Sequence, residues 1–332
     1  MRKLIRPAEV NVPIQHKRTA LHIASGYQRL NVVEYLLSSE VGADSNSLDE
    51  DGDGPLAHAV QVGNMAIVRL LLDHNANVNL INKHGVSALA RSVINKRLEI
   101  MDVLLASGAF LDNQDVRGRT AVHFTVSESC PEALLKLVDK GADVNLKDSE
   151  HMTPLHLCGK FKCTQCCEIL LKHGADPMIG DDTDISPLHA ASALNAVDIM
   201  TVILDHAPMC IDCVDTERRT ALHIACMAGQ TSDDKGEDAA LMLIALGASV
   251  LLKDANNYLP ITYASKFGML ETVQALIARD ERCATEPCGR EQYTAIMAAV
   301  LQNRVGVVEV VLKESAGVDM NVADAEGHTA LH

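Results

Sequence analysis

The chain has 332 residues, enough for two or three ordinary globular domains or for one long repeat array. It is 48% apolar but only 3% aromatic, with no Trp. That excludes a large core built on aromatic rings and suits thin, closely packed helices of Ala, Leu and Val. The formal net charge of -15 argues against nucleic acid as a partner and against binding to anionic lipid by bulk electrostatics. It favours a basic or neutral partner, or simply gives a well-solvated surface.

Met1 to Pro13 carries basic residues but no long apolar run, so no secretory signal is read there. Residues 1–18 read as a turn plus a partial unit that caps the array. From residue 19 a tetrad recurs. It begins as Thr19-Ala20-Leu21-His22, then Gly54-Pro55-Leu56-Ala57, Ser87-Ala88-Leu89-Ala90 and Thr120-Ala121-Val122-His123. It continues as Thr153-Pro154-Leu155-His156, Ser186-Pro187-Leu188-His189, Thr220-Ala221-Leu222-His223, Leu259-Pro260-Ile261-Thr262 and Thr294-Ala295-Ile296-Met297. The offsets are 35, 33, 33, 33, 33, 34, 39 and 35, and residues 329–332 open a further unit 35 residues on, which the chain does not complete. About 20 residues after each tetrad an apolar run closes on Gly-Ala-Asp or a relative, as Ile169-Leu170-Leu171 does before Gly174-Ala175-Asp176. The apolar spacing is helical, so each unit holds two short helices and a turn, about nine units over residues 19–328.

The stretch Gly141–Gly159 shows the joint between units. Gly141 supplies the left-handed backbone that closes one helix, Asp148 forms the turn, and Thr153 with Pro154 starts the next helix. Ala24, Ala59, Ala191, Ala225, Ala264 and Ala299 share one register and let neighbouring helices approach closely. Three departures stand out. Repeat one has two extra residues before Gly42-Ala43-Asp44, and a polar, acidic insert within Gln230–Asp238 predicts a surface loop. The stretch 279–293 lacks the Gly-Ala-Asp turn and predicts a kink, and it is the best place for a break in an otherwise continuous array. The most apolar segment, Ala239–Leu252, is too short to span a bilayer.

The tetrads and the Gly-Ala-Asp-Val-Asn turn at 141–145 resemble the ankyrin-repeat family over almost all of residues 19–332. The resemblance implies an all-α repeat solenoid: stacked antiparallel helix pairs with β-turn or hairpin fingers, and a concave groove that binds protein or peptide partners. It also implies that His22, His123, His156, His189 and His223 bond backbone groups of adjacent turns rather than act in catalysis. Asp143-Val144-Asn145 resembles ankyrin sites modified by an asparaginyl hydroxylase, with Asn79 and Asn321 in related positions. The competing reading is that these Asn bond the turn backbone.

Chemistry-bearing motifs dissolve into this register. Cys158, Cys163, Cys166 and Cys167 beside His156 have metal-ligand character. Yet Cys158 takes the small-residue slot, and Cys166 and Cys167 take core slots of a second helix. A zinc or redox role is the minority reading, and the ten Cys read as reduced thiols of a cytosolic compartment. Cys210-x-x-Cys213 reads as an exposed turn. Asp49–Gly54 imitates a calcium loop, but the twelfth position is Val60 inside a helix, so the loop fails and its acids read as solvated or partner-facing. No catalytic residue, cofactor site or metal site is assigned.

Residues that stacking does not need are free to specify a partner. They are Arg117, Arg119, Glu128, Ser149, Glu150 and Met152, then Lys160, Phe161, Ile185, Leu194, Arg219, Met227, Tyr258 and Phe267. The sequence therefore predicts a non-enzymatic, cytoplasmic (or nuclear) scaffold, a monomeric array that binds protein or peptide. The alternative is the ankyrin segment of a larger protein, such as a transient-receptor-type cation channel, a kinase or a ubiquitin-ligase adaptor.

Overall fold

The computed structural model describes residues 10–228, 237–315 and 318–332. The insert expected as a surface loop within Gln230–Asp238 lies outside the described residues except for Glu237 and Asp238, as do residues 1–9 of the expected cap. The chain divides into two compact units, Met1–Pro154 and Leu155–His332.

In the first unit the helices come in pairs: α1 (Ala20–Gly26) and α2 (Leu30–Leu37), α3 (Pro55–Val62) and α4 (Met65–Asp73), α5 (Ala88–Ile94) and α6 (Leu98–Ala106), α7 (Ala121–Ser127) and α8 (Pro131–Asp139). Each pair closes on itself. First helices pack side by side along one row, α1 to α3 to α5 to α7, and second helices along another, α2 to α4 to α6 to α8.

The second unit repeats the plan. α9 (Pro154–Phe161) and α10 (Thr164–Lys172) lead into α11 (Pro187–Ala193) and α12 (Val197–His206), then α13 (Ala221–Ala228) and α14 (Asp238–Ala245). α15 (Pro260–Phe267), α16 (Leu270–Arg279), the short α17 (Arg282–Thr285), α18 (Ala295–Leu301) and α19 (Val305–Glu314) complete it. Its first-helix row runs α11, α13, α15, α18, and its second-helix row runs α10, α12, α14, α16, α19. Among the described residues there are 19 α-helices and no strand. The fingers are turns, some pinned by single bridges such as Ile81 to Ser87 and Val214 to Thr220.

Helices of two turns are unstable alone, so neighbours must supply the stability. The third tetrad position does much of this. Leu56, Leu89, Val122, Leu155, Leu188, Leu222, Ile261 and Ile296 are all buried, each stabilising by about 1.5–3 kcal/mol. The small-residue slot is buried at Ala24, Ala59, Ala191, Ala225, Ala264 and Ala299, and Ser92, Thr125 and Cys158 fill it in the other repeats. Starts are set by capping boxes at Thr19, Thr120 and Ser186, and by Pro55, Pro187 and Pro260 in the first turn. Left-handed Gly63 and Gly268 stop α3 and α15.

The stretch 279–293 is irregular in a specific way. α17 replaces the Gly-Ala-Asp turn and buries Cys283 and Ala284, while a Cys288–Tyr293 bridge closes the finger. It lies inside the second compact unit; the division of the chain falls at 154/155 instead.

Candidate functional site

The finger bases are built from backbone and histidine. Thr19 N–H donates to His22 Nδ1 at 3.1 Å, and His22 Nε2 reaches Asp53 O at 3.1 Å. The same stitch joins Thr120 and His123 to Met152 O at 3.2 Å, Ser186 and His189 to Arg219 O at 3.0 Å, and Thr220 and His223 to Tyr258 O at 3.2 Å. His156 reaches Ile185 O at 2.9 Å. Because Nδ1 faces an N–H donor, it must be bare, and the proton sits on Nε2. Burial agrees, holding His22, His123, His189 and His223 below the usual imidazole range. Each such ring is a neutral strut between one repeat and the next.

An acid five residues before the tetrad folds most of the fingers. Oδ1 of Asp115 accepts from the N–H groups of Arg117 and Arg119 at 2.8 and 2.9 Å; Asp49, Asp148, Asp181 and Asp254 do the same, and Asn82 substitutes for them in its own finger. Finger tips are joined by backbone bonds, such as Ser149 N–H to Arg117 O at 2.7 Å and Ala255 N–H to Glu217 O at 2.7 Å. Of the acids expected to be solvated or partner-facing, Glu50 and Asp51 are exposed, but Asp49 and Asp53 are buried, which corrects the expectation for those two. Asp49 is buried against His58 at 2.9 Å, and Arg91 grips both oxygens of Asp53 at 2.7 and 2.8 Å.

The predicted partner residues separate by unit. In the first, Arg117, Ser149 and Glu150 are exposed tips, and Met152 is half-buried. Arg119 is committed to Asp115 at 2.7 Å and lies 4.6 Å from the Phe124 ring centre. Glu128 is half-buried, 3.9 Å from Lys96. Asn145 donates its backbone N–H to Asp143 Oδ1 at 2.8 Å, while the side chain of Asn79 bonds Gly108 O and Phe110 N–H.

In the second unit Lys160 and Phe161 are exposed together, with Lys160 Nζ 5.8 Å from the ring centre. Ile185, Arg219 and Tyr258 occupy one place in successive fingers, but Arg219 is tied to Asp215 and Glu217 at 2.7 and 3.2 Å. Leu194 is 50% exposed and Met227 half-buried. Phe267 is half-buried under Lys266, whose Nζ is 5.6 Å from its ring centre.

Two side chains missed in the sequence complete the best-formed surface. Tyr258, Tyr263, Tyr293, Thr262, Leu301 and Gln302 line a pocket of about 180 Å³. Tyr258 and Tyr263 meet edge-on at 5.8 Å. Their hydroxyls donate to Glu291 and Asp254, each at 2.6 Å. The Tyr258 ring lies against Gly289, where a Cβ would collide with it. In this finger, one residue longer than its sisters, Cys288 takes the place that Asp holds in most others, its N–H reaching Tyr293 O at 2.8 Å, and Gly289 follows it. Burial, then the Glu291 hydrogen bond, pushes the Tyr258 hydroxyl up to about 12. The signal available in the sequence was clustering: three of the five Tyr fall within 258–293.

The cysteines differ from expectation in two ways. Eight of them are free thiols, as expected, but Cys163 and Cys166 are disulfide-bonded. They flank the first turn of α10 with Cα atoms 5.3 Å apart, inside the range a disulfide requires. Cys210 is buried rather than exposed, because the 3₁₀ turn Pro208–Asp212 tucks it against Met178, and burial raises its thiol to about 11. Among the described residues no group of three or more His, Cys, Asp or Glu is placed to hold a metal ion, and no helix is long and apolar enough to cross a membrane.

A family model described as ankyrin repeats in three copies matches residues 39–115, 108–181 and 231–324, and a single ankyrin-repeat model matches residues 16–50. Ankyrin repeats generally mediate protein–protein interaction. The histidine struts, the acid-folded fingers and these matches together place the chain in the ankyrin-repeat family.

Proposed function

We propose that the chain is a non-enzymatic scaffold that captures a peptide segment of a partner protein, with the Tyr258–Tyr263–Tyr293 pocket as the anchor. The observation that supports this reading is that pocket itself. Tyrosine rings stay half-exposed there, in a chain that is otherwise poor in aromatics and ties many of its other surface groups into ion pairs. Tyrosine offers contact area at low entropic cost and is enriched where binding energy concentrates. Lys160 with Phe161, and the tips Ile185 and Leu194, supply further contacts in the same unit. Arg117, Ser149, Glu150 and Met152 are a separate candidate surface within the first unit. Asn145 is a candidate for hydroxylation.

The test is a random linear peptide library selected against the purified chain. Selected peptides should lose about tenfold in affinity, roughly 1.4 kcal/mol, on Tyr293→Ala. Lys160→Glu with Phe161→Ala should give a smaller loss. Peptides that bind Tyr263→Ala and Tyr293→Ala proteins as tightly as the parent would remove the anchor assignment.

A further inference from the structure

We infer that Cys163 and Cys166 form a reversible dithiol–disulfide pair that exchanges with small thiols and disulfides of the glutathione class, with Cys163 as the sulfur that meets them. Four cysteines of one repeat gather here. Cys158 and Cys167 are fully buried and share a hydrogen bond, and burial raises the Cys158 thiol well above its usual range. Those two behave as inert core groups.

The bonded pair is different. Cys163 is the N-cap of the nine-residue α10, and Cys166 is its third helical residue. Cys163 is 7% exposed and Cys166 is fully enclosed, so Cys163 is the more accessible of the two. Exposed Lys160 and Lys162 stand just before it in the chain, and the open N–H groups of the helix start face the same turn. The thiolate is the form that attacks a disulfide, and a cationic, donor-rich surrounding is where an incoming glutathione carboxylate is met. A bond between residues three apart closes almost no chain, so it adds little to folding stability. What it offers is chemistry.

The step balances without any bound group. The Cys163 thiolate attacks glutathione disulfide, forming a Cys163–glutathione mixed disulfide and expelling one glutathione thiolate. Cys166 attacks Cys163 sulfur and expels the second glutathione thiolate, which takes up the Cys166 proton as it leaves. Two protein thiols are oxidised by two electrons, and one glutathione disulfide is reduced to two glutathiones.

Differential alkylation with mass spectrometry across a series of reduced-to-oxidised glutathione ratios tests this in the intact chain. Cys163 and Cys166 should pass together from alkylated to protected, while Cys158 and Cys167 do not change. A Cys166→Ser protein should accumulate glutathione on Cys163, and a Cys163→Ser protein should carry none on Cys166. Circular dichroism matching the parent checks that the variants fold. If Cys163 and Cys166 stay free, or stay bonded, at every ratio, or if the mixed disulfide forms elsewhere in the cluster, the assignment is overturned.

Discussion

The same register position is used in opposite ways in two regions of the molecule. Four residues after the tetrad start, the first unit places His58 and Arg91. Each turns onto a buried acid, His58 onto Asp49 and Arg91 onto Asp53. The second unit places Tyr263 there, and its hydroxyl satisfies Asp254 while its ring remains as pocket wall. Arg91 turns Nη2 onto the carboxylate and Nη1 onto Gln61, so its head group is held by polar partners, whereas a tyrosine needs only its oxygen and leaves an apolar face to offer. One choice of side chain at one position thus decides whether a repeat shows a closed polar surface or a recognition surface.

The largest effect should come from what the two regions share. His123→Ala in the first unit and His223→Ala in the second should each cost about 3 kcal/mol, since each leaves a buried Thr N–H and a finger carbonyl unpaired and opens a cavity. Urea melts of both variants check this, and a large loss in only one would break the idea of a common frame. Next comes Arg91→Ala, which strands Asp53 without its counter-charge and should cost about 2 kcal/mol by the same measurement.

Acid should then separate the two kinds of group. The folded-state values of His22, His123, His189 and His223 are depressed, so their contribution is complete above about pH 6.5 and falls as pH drops through the folded values. For Asp49 and Asp115 burial alone would raise the carboxyl. Hydrogen bonds from His58 and from Arg119, with backbone N–H groups, outweigh it, and both end below the usual range. Their contribution is therefore lost only below about pH 4. A stability profile from pH 8 to pH 3 should show both losses. Peptide binding at the tyrosine pocket should stay flat from pH 7 to 9, because Tyr258 titrates only near 12. The smallest effect is Tyr263→Phe: about 1 kcal/mol of stability for the lost hydrogen bond to Asp254, with peptide affinity kept because the ring remains.

The repeat frame was legible because it is periodic. A tetrad every 33 to 39 residues and an alanine in one register declare stacked helix pairs without any structure. Tyr263 was invisible to the same method, since alignment explains a residue by its sisters, and no sister repeat carries Tyr there. Gly289 was hidden too. It reads as one more turn former until the Tyr258 ring is seen lying on it. The acid at Asp148 was read as turn-forming, but its counterpart Asp49 was masked by a run of other acids that resembled a calcium loop. The bond between Cys163 and Cys166 is hidden from the register because Cys166 matches a core slot, and register says nothing of which sulfur faces out.

The histidine stitch has a consequence for how such a chain can change. Each ring grips a main-chain carbonyl, at Asp53, Met152, Ile185, Arg219 and Tyr258 in turn, so five unrelated side chains sit on identical supports. At Met152, Ile185 and Tyr258, where the side chain makes no ion pair with a buried partner, mutational drift is decoupled from the frame beneath; Asp53 and Arg219 are held by Arg91 and Asp215. A library randomised at Met152, Ile185 and Tyr258 should yield folded proteins at high frequency and new ligand preferences at little thermal cost, which makes these carbonyl positions natural handles for retargeting.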